Sequence, residues 1–201
     1  APYSEDYHLG IWVTGKKVSN SWAHADEQSS VYELKAYVEN ILIRLGVDLH
    51  KLVIGNLTDD VFATALTINT QGGKRLGVFG VVAKKILKAF DIDNEVYFAD
   101  LNWKELMKAI RNNKVGYTEI SKFPAVKRDL ALLLDKNIQF AEIEKIAYET
   151  EKKLLRDVTL FDVYEGKNLE AGKKSYAVSF LLQDESQTLN DKQIDKIMSK
   201  L

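Results

Sequence analysis

An aspartate and a tyrosine stand two positions apart in the run LFDVYEG at 160–166, and this spacing could form a binding surface. The run is typical of the end of a β-strand, where successive side chains point to opposite faces of the sheet. Asp162 and Tyr164 should therefore lie side by side. The alternation predicts that even-numbered residues share one face and odd-numbered residues the other: Val158, Leu160, Asp162 and Tyr164 against Thr159, Phe161 and Val163.

Residue types alone leave two interpretations of this pair open. The first is an amphipathic hairpin whose polar residues face water, as an exposed sheet face usually does. The second is a recognition surface for a nucleobase. In that case the Tyr164 ring offers a stacking platform, and the Asp162 carboxylate accepts hydrogen bonds from the base. Gly166 opens a turn toward the next predicted strand in either case.

The sequence contains no recognisable catalytic or metal-binding motif. The glycines between 72 and 80 lack the Gly-Lys-Ser/Thr ending of a phosphate loop and the strand–glycine–helix context of a dinucleotide site, so we interpret them as turn residues. His8, His24 and His50 lack metal-ligand spacing, and the absence of cysteine excludes disulfides and thiolate sites. We therefore expect this chain by itself to have no catalytic site, no cofactor and no bound metal.

Composition limits the classes of partner. The 201 residues are 46% hydrophobic with a formal net charge of −1, which is enough apolar material for one large or two small domains. Because the charges are mixed, any RNA contact must depend on shape and on a few residues. No apolar run approaches the roughly 20 residues of a membrane span. We expect a cytoplasmic protein without a membrane partner and, because the chain begins without Met, a piece of something longer.

The first part of the chain, 1–115, is predicted to be a mixed α/β domain. Ser30 and Glu33 form a capping box for a helix that Gly46 ends. The turn at 71–74 joins two strands into a hairpin. The predicted strands are 8–15, 61–70, 75–80 and 95–99, with helices over 31–45, over 81–89 and after Asn102, and a loop over 16–28.

The polar stretch 111–116 marks the predicted boundary to a second domain, 116–201. Its pattern predicts a strand, a helix, two strands and a helix, at 128–135, 140–155, 157–165, 174–183 and 190–201. This β-α-β-β-α order is that of a ferredoxin-like βαββαβ unit whose last strand is missing. The expected fold class is therefore α+β, and the missing strand is a second indication of a longer protein.

Several sequence blocks resemble the β subunit of bacterial phenylalanyl-tRNA synthetase. Four blocks in the second domain resemble its ferredoxin-fold anticodon-binding domain: SKFPAVKRD at 121–129, LFDVYEG at 160–166, KKSY at 173–176 and QTL at 187–189. Looser blocks in the first domain resemble part of its class II synthetase-like domain: YELK at 32–35, VE at 38–39, LG at 45–46 and RLGVFG at 75–80.

The resemblance implies an enzyme of two α and two β subunits that uses ATP and Mg²⁺ to attach phenylalanine to tRNA(Phe). Activation of phenylalanine with ATP belongs to the α subunit of that family. The class II-like domain of the β subunit is non-catalytic and supports subunit assembly, which agrees with the lack of a GxGxGxxR-like ending here. The alternative is a free-standing ferredoxin-like interaction module without tRNA specificity.

The resemblance also implies a site. In the family, the aspartate and tyrosine of the FDxYxG block lie against the first anticodon base, so Tyr164 would stack on it and Asp162 would accept from its guanine edge. A strand-leading pair such as Arg128-Asp129 is also typical of a structural salt bridge or cap. Lys174 is a candidate phosphate contact. The full expected anticodon-binding set is Asp162, Tyr164, Phe123, Arg128, Lys174 and Ser175.

Overall fold

The computed structural model describes residues 3–113, 116–117, 119–166 and 169–201. The chain forms two compact units, Ala1–Gly116 and Tyr117–Leu201. From the polar stretch 111–116, the sequence predicted a domain boundary between residues 115 and 116.

The first unit is built on an antiparallel sheet. Its five strands pair in the order β1-β7-β6-β5-β4, while β2 and β3 pair only with each other. In chain order the elements are β1 (His8–Thr14), β2 (Lys16–Val18), β3 (Glu27–Gln28), α1 (Val31–Arg44), a 3₁₀ helix (Leu49–Lys51), β4 (Leu52–Leu57), β5 (Phe62–Thr70), β6 (Arg75–Val82), α2 (Lys84–Ala89), β7 (Val96–Asn102) and α3 (Trp103–Ile110).

One face of this sheet carries the core of the first unit. Leu34, Val38 and Leu42 recur every four residues along α1, so they form one stripe, and all three are buried. Leu106 of α3 joins the same cluster. The sheet contributes Ile68, Leu76, Phe79, Tyr97, Ala99 and Leu101. Helix periodicity and sheet alternation therefore converge on this cluster, and a second, smaller cluster is formed by Val82, Leu87 and Val96.

The predicted start of α1 is half confirmed. The Ser30 hydroxyl oxygen accepts a hydrogen bond from the Glu33 backbone N–H at 3.4 Å, as a capping residue should. The Glu33 side chain does not complete the box, because its Oε1 accepts from the Tyr37 hydroxyl at 2.7 Å. Gly46 follows the helix with φ +81°, a conformation that favours glycine at this position.

The structure corrects three predictions in the first unit. The segment 16–28, expected to be a loop, contains the short strands β2 and β3, which are too short to show a period. β4, at Leu52–Leu57, was not predicted, and it is an edge strand whose apolar run LVIGNL does not alternate cleanly. β6 continues to Val82, so α2 begins at Lys84 rather than at 81.

The second unit has the predicted β-α-β-β-α order. Its elements are β8 (Val126–Asp135), α4 (Phe140–Thr150), β9 (Leu155–Tyr164), β10 (Lys173–Leu182) and α5 (Asp191–Met198). The strands pair antiparallel in the order β8-β10-β9. The α+β fold class with a ferredoxin-like second domain is therefore confirmed. The helix predicted over 140–155 ends at Thr150 because Leu155 already pairs with β10.

Both helices of the second unit pack on the same face of its sheet. The core includes Ala147 of α4 and Ile194 and Ile197 of α5. The sheet residues that meet them alternate along the strands: Leu130, Leu132 and Leu134 on β8, and Tyr176, Val178, Phe180 and Leu182 on β10. The opposite face is consequently not covered by either helix. In the part of the chain that the structure describes, no helix is long and apolar enough to span a membrane.

Candidate nucleic-acid interface

The strand that carries Asp162 has an irregularity at Phe161. Leu160 pairs with Val178 of β10, and Asp162 pairs with the next residue, Ala177, so that Phe161 is an extra residue between the two pairs. Such a β-bulge interrupts the alternation of faces, because two residues of one strand oppose one residue of its partner.

The bulge overturns the predicted assignment of faces. Directly paired residues point to the same side of a sheet, and Val178 is completely buried against the helices, so Leu160 also faces the helices. Asp162 pairs with Ala177 and Tyr164 with Ser175, which both point away from the helices. The prediction that Asp162 and Tyr164 lie side by side holds, whereas the prediction that they share a face with Val158 and Leu160 is wrong.

The surface of β8, β9 and β10 that points away from α4 and α5 is called the open face below. At the centre of this face β10 contributes only small side chains. The longer side chains of the neighbouring strands β8 and β9 therefore extend further from the sheet than those of β10. Two aromatic rings stand on β9, with Tyr164 44% and Phe161 54% exposed. The open face comprises Lys127, Asp129, Ala131, Leu133 and Asp135 of β8, Lys173, Ser175, Ala177, Ser179 and Leu181 of β10, and Asp157, Thr159, Phe161, Asp162 and Tyr164 of β9.

Phe161 belongs to the open face because of a contact with Lys127. The Lys127 side chain lies on the side of β8 opposite to the core, and its Nζ is 5.6 Å from the centroid of the Phe161 ring. The two residues therefore meet above β10. Sequence alternation had assigned Phe161 to the face opposite Asp162, and the bulge brings both to the same side.

Gly166, two residues after Tyr164, leaves room for the Tyr164 ring. A Cβ added at Gly166 would lie 2.2 Å from the Tyr164 hydroxyl oxygen and 2.4 Å from its Cζ, so the phenol ring occupies the space that a side chain would need. The glycine thus permits this orientation of the ring.

Several charged groups around the open face have local partners. Asp129 accepts a hydrogen bond from the Ser179 hydroxyl. The Lys173 ammonium donates to Asp135 at 2.9 Å, and this hydrogen bond raises the pKa of Lys173 above its ordinary value. Within the described residues, by contrast, the Asp162 carboxylate has neither a hydrogen-bond partner nor an ion-pair partner. Asp162 is therefore an unengaged hydrogen-bond acceptor among the described residues.

Two residues of the expected set lie elsewhere. Lys174 is only 7% exposed and points to the helix side, where its Nζ lies 2.6 Å from the Tyr176 hydroxyl. Arg128 also points to the helix side, with its Nη2 3.8 Å from Asp191 Oδ1 at the start of α5. The structure does not bring either side chain to the open face, because strand alternation turns each one away from it.

The other two expected residues differ in position. Ser175 lies on the open face directly opposite Tyr164. Phe123 precedes β8 and is half-buried, and its carbonyl oxygen accepts from Gln183 Nε2 at 2.7 Å. Phe161 and Lys127 were not in the expected set. Strand alternation places Lys127 on the face opposite to that of its neighbour Arg128, so Lys127 could have been identified from the sequence. The bulge that exposes Phe161 has no signal in the local sequence pattern.

Metal binding has no candidate site in the described ranges, since no group of three or more histidine, aspartate or glutamate side chains converges there.

Comparison with known proteins matches both units. Residues 121–201 match the family model described as the ferredoxin-fold anticodon binding domain. Residues 2–103, half of the chain, match the phenylalanyl tRNA synthetase beta chain CLM domain. The chain belongs to the phenylalanyl-tRNA synthetase β-chain family. The resemblance inferred from the motif blocks is thereby confirmed.

Curated relatives agree with the family models. The phenylalanine–tRNA ligase beta subunit of Bacteroides fragilis is 85% identical over 201 residues, which is all of this chain. The beta subunit of Porphyromonas gingivalis is 53% identical over the same length, and that of Fusobacterium nucleatum is 36% identical over 98% of this chain. The chain spans 24% of the length of each of these relatives.

Proposed function

We propose that this chain is part of the β subunit of a cytoplasmic phenylalanine–tRNA ligase and that the open face of its second unit binds the first anticodon base of tRNA(Phe). The observation that carries the proposal is the shared position of Asp162 and Tyr164 on the sheet face opposite to the one that α4 and α5 cover. Anticodon bases can be splayed out of a loop, and proteins read such bases by stacking and by hydrogen bonds to their edges.

Each residue has a distinct role in this proposal. The Tyr164 ring stacks on the base, an interaction worth about 1–3 kcal/mol per base. The unpartnered Asp162 carboxylate accepts from the imino and amino hydrogens of guanine, which adds the preference for that base. Ser175 lies opposite Tyr164 and offers a hydroxyl beside the ring. Lys174 and Arg128, on the other side of the sheet, are left out.

The rest of the proposal concerns the whole ligase. It attaches phenylalanine to tRNA with the use of ATP and Mg²⁺, and it contains two α and two β subunits. Following the resemblance to the family, we assign the ATP and Mg²⁺ sites to the α subunit and derive no catalytic step from this chain. The first unit serves in the assembly of the subunits.

Substitution of Tyr164 in the assembled ligase tests this function. Tyr164→Ala should lower kcat/KM for tRNA(Phe) by about tenfold, because one stacking interaction is lost, and should leave phenylalanine-dependent ATP–pyrophosphate exchange unchanged. Val163→Ala is the matched control, since Val163 is 48% exposed on the same strand but pairs with Tyr176 on the helix side.

The result that would contradict the assignment is an equal loss of charging and exchange in Tyr164→Ala. Unchanged charging of tRNA(Phe) with an altered first anticodon base would instead favour an interaction module without tRNA specificity.

A further inference from the structure

We propose that Phe161 and Lys127 form a second nucleotide-binding position on the open face, next to the position formed by Asp162 and Tyr164. The ligand is an unpaired RNA nucleotide adjacent to the first anticodon base. Its base stacks on the Phe161 ring, and its phosphate contacts the Lys127 ammonium. The assignment of this ligand rests on the proposed function, since both positions bind the same anticodon loop.

Phe161 is presented to solvent by the fold itself. The bulge turns its ring to the open face, and 54% of the residue is exposed, whereas the neighbouring Leu160 packs against the core. A single exposed apolar residue is ordinary on a protein surface. Here, however, Phe161 shares its face with the exposed side chains of Tyr164 and Leu133. The rings of Phe161 and Tyr164 provide flat apolar surface on both sides of Asp162.

Lys127 supplies a cation at the right place. Its side chain reaches from β8 to the Phe161 ring of β9 on the face where β10 carries Leu181, which pairs with Lys127, and the smaller Ser179 and Ala177. In the described part of the chain, Lys127 has no carboxylate partner. A cation–π contact at an exposed site is weak, so the ammonium can turn to a phosphate without losing a strong ion pair.

The spacing of the two rings selects a single-stranded ligand. Phe161 and Tyr164 are three residues apart, which corresponds to about 10 Å along a strand. Bases held so far apart cannot stack on each other. The ligand is therefore a stretched, unstacked segment, the state in which RNA loops are read by proteins. Aromatic platforms combined with a nearby cation are the usual means of binding such segments.

The polar groups of this surface favour RNA over a protein partner. A close-packed protein interface depletes charged residues at its centre, and the Asp162 carboxylate and Lys127 ammonium would be left buried there without partners. RNA offers base hydrogens to the carboxylate and a phosphate to the ammonium. The remaining acidic groups are engaged locally, with Asp129 bound by Ser179 and Asp157 accepting from Thr159 at 2.8 Å.

Binding measurements on the assembled ligase with a tRNA(Phe) anticodon stem-loop test this proposal. Phe161→Ala should weaken binding about tenfold through the loss of one stacked base, and Phe161→Trp should retain it. Lys127→Gln should weaken binding a few-fold and lower the slope of log K against log salt by about one, as expected for one phosphate contact. Val163→Ala and Lys196→Gln, both away from the open face, should bind as the unaltered protein does.

A fluorescent base locates the second position. The probe is 2-aminopurine, placed in separate loops at each nucleotide that flanks the first anticodon base. Binding of the loop to the ligase should quench the 2-aminopurine fluorescence at one of these nucleotide positions. The quenching should disappear in Phe161→Ala and persist, at saturating protein, in Tyr164→Ala. Unchanged melting temperatures of the variants would show that the fold is intact.

The three variants distinguish a failure of the second nucleotide position from a failure of the proposed function. If Tyr164→Ala weakens binding while Phe161→Ala and Lys127→Gln do not, the second position is refuted and the first one stands. If all three variants bind normally, both are refuted. If Phe161→Ala instead disrupts assembly with the α subunit, a protein partner occupies this part of the open face and the RNA assignment is wrong.

Discussion

The two halves of β9 differ sharply although they belong to one strand. In the first half, Leu155 and Val158 are each 5% exposed and contribute to the core of the second unit. In the second half, all four residues from Phe161 to Tyr164 are exposed. The bulge at Phe161 separates these halves. The comparison teaches that the extra residue at Phe161 separates a segment that contributes to the core from a segment whose side chains are exposed.

The position of β9 in the sheet explains why the bulge is tolerated. In the described part of the chain β9 is an edge strand that pairs with β10 alone, so its distortion disturbs one ladder of hydrogen bonds rather than two. The central strand β10 keeps a regular alternation, with Tyr176, Val178 and Phe180 all buried. Bulges are common at sheet edges, where they re-aim side chains and also discourage pairing with other chains.

The largest expected effect separates the two halves by stability. Leu155→Ala should lower the free energy of unfolding by about 2–5 kcal/mol, because it leaves a cavity in the core. Phe161→Ala should change it by less than about 0.5 kcal/mol, as an exposed position does. Urea unfolding of both variants measures the difference. Similar losses would mean that Phe161 is a packing residue and that the two halves are alike.

A smaller effect is expected from the glycine beneath Tyr164. In Gly166→Ala the new methyl group would overlap the Tyr164 phenol, and the ring should swing aside because its far end is free to move. Charging assays should show a loss of about 1 kcal/mol in kcat/KM for tRNA(Phe), part of the value of one stacked base. The melting temperature should change little. Unaltered kcat/KM would show that the ring orientation in the free protein is not required.

The smallest expected effect on recognition of the first anticodon base comes from deletion of Phe161. Without the extra residue, Leu160 is followed directly by Asp162, and regular alternation still turns Asp162 and Tyr164 to the open face. Discrimination of the first anticodon base should therefore be retained, and stability should change by less than about 1 kcal/mol. Substitution of Phe161 by serine is the control that keeps the bulge. Loss of first-base discrimination in the deletion alone would show that the bulge itself shapes the first position.

Much of the fold was predictable because its signals are local. Periodic apolar residues gave α1, and the Asn190–Gln193 box that begins α5 is present with both hydrogen bonds at 3.0 Å. The errors arose where no period exists or where one continues by coincidence. β4 has no clean alternation, and the apolar residues Leu154 and Leu155 extend the stripe of α4 although the helix ends at Thr150.

The candidate site divides in the same way. The sequence by itself placed Asp162 and Tyr164 side by side on one face, with a glycine turn after them. It also identified the family to which the chain belongs. Only the tertiary structure decided which face they occupy, because the bulge depends on the register between β9 and β10. Tertiary packing also turned Lys174 toward Tyr176 and brought Lys127 over Phe161. These contacts join residues that are distant in sequence or that depend on strand register, and local periodicity carries no information about either.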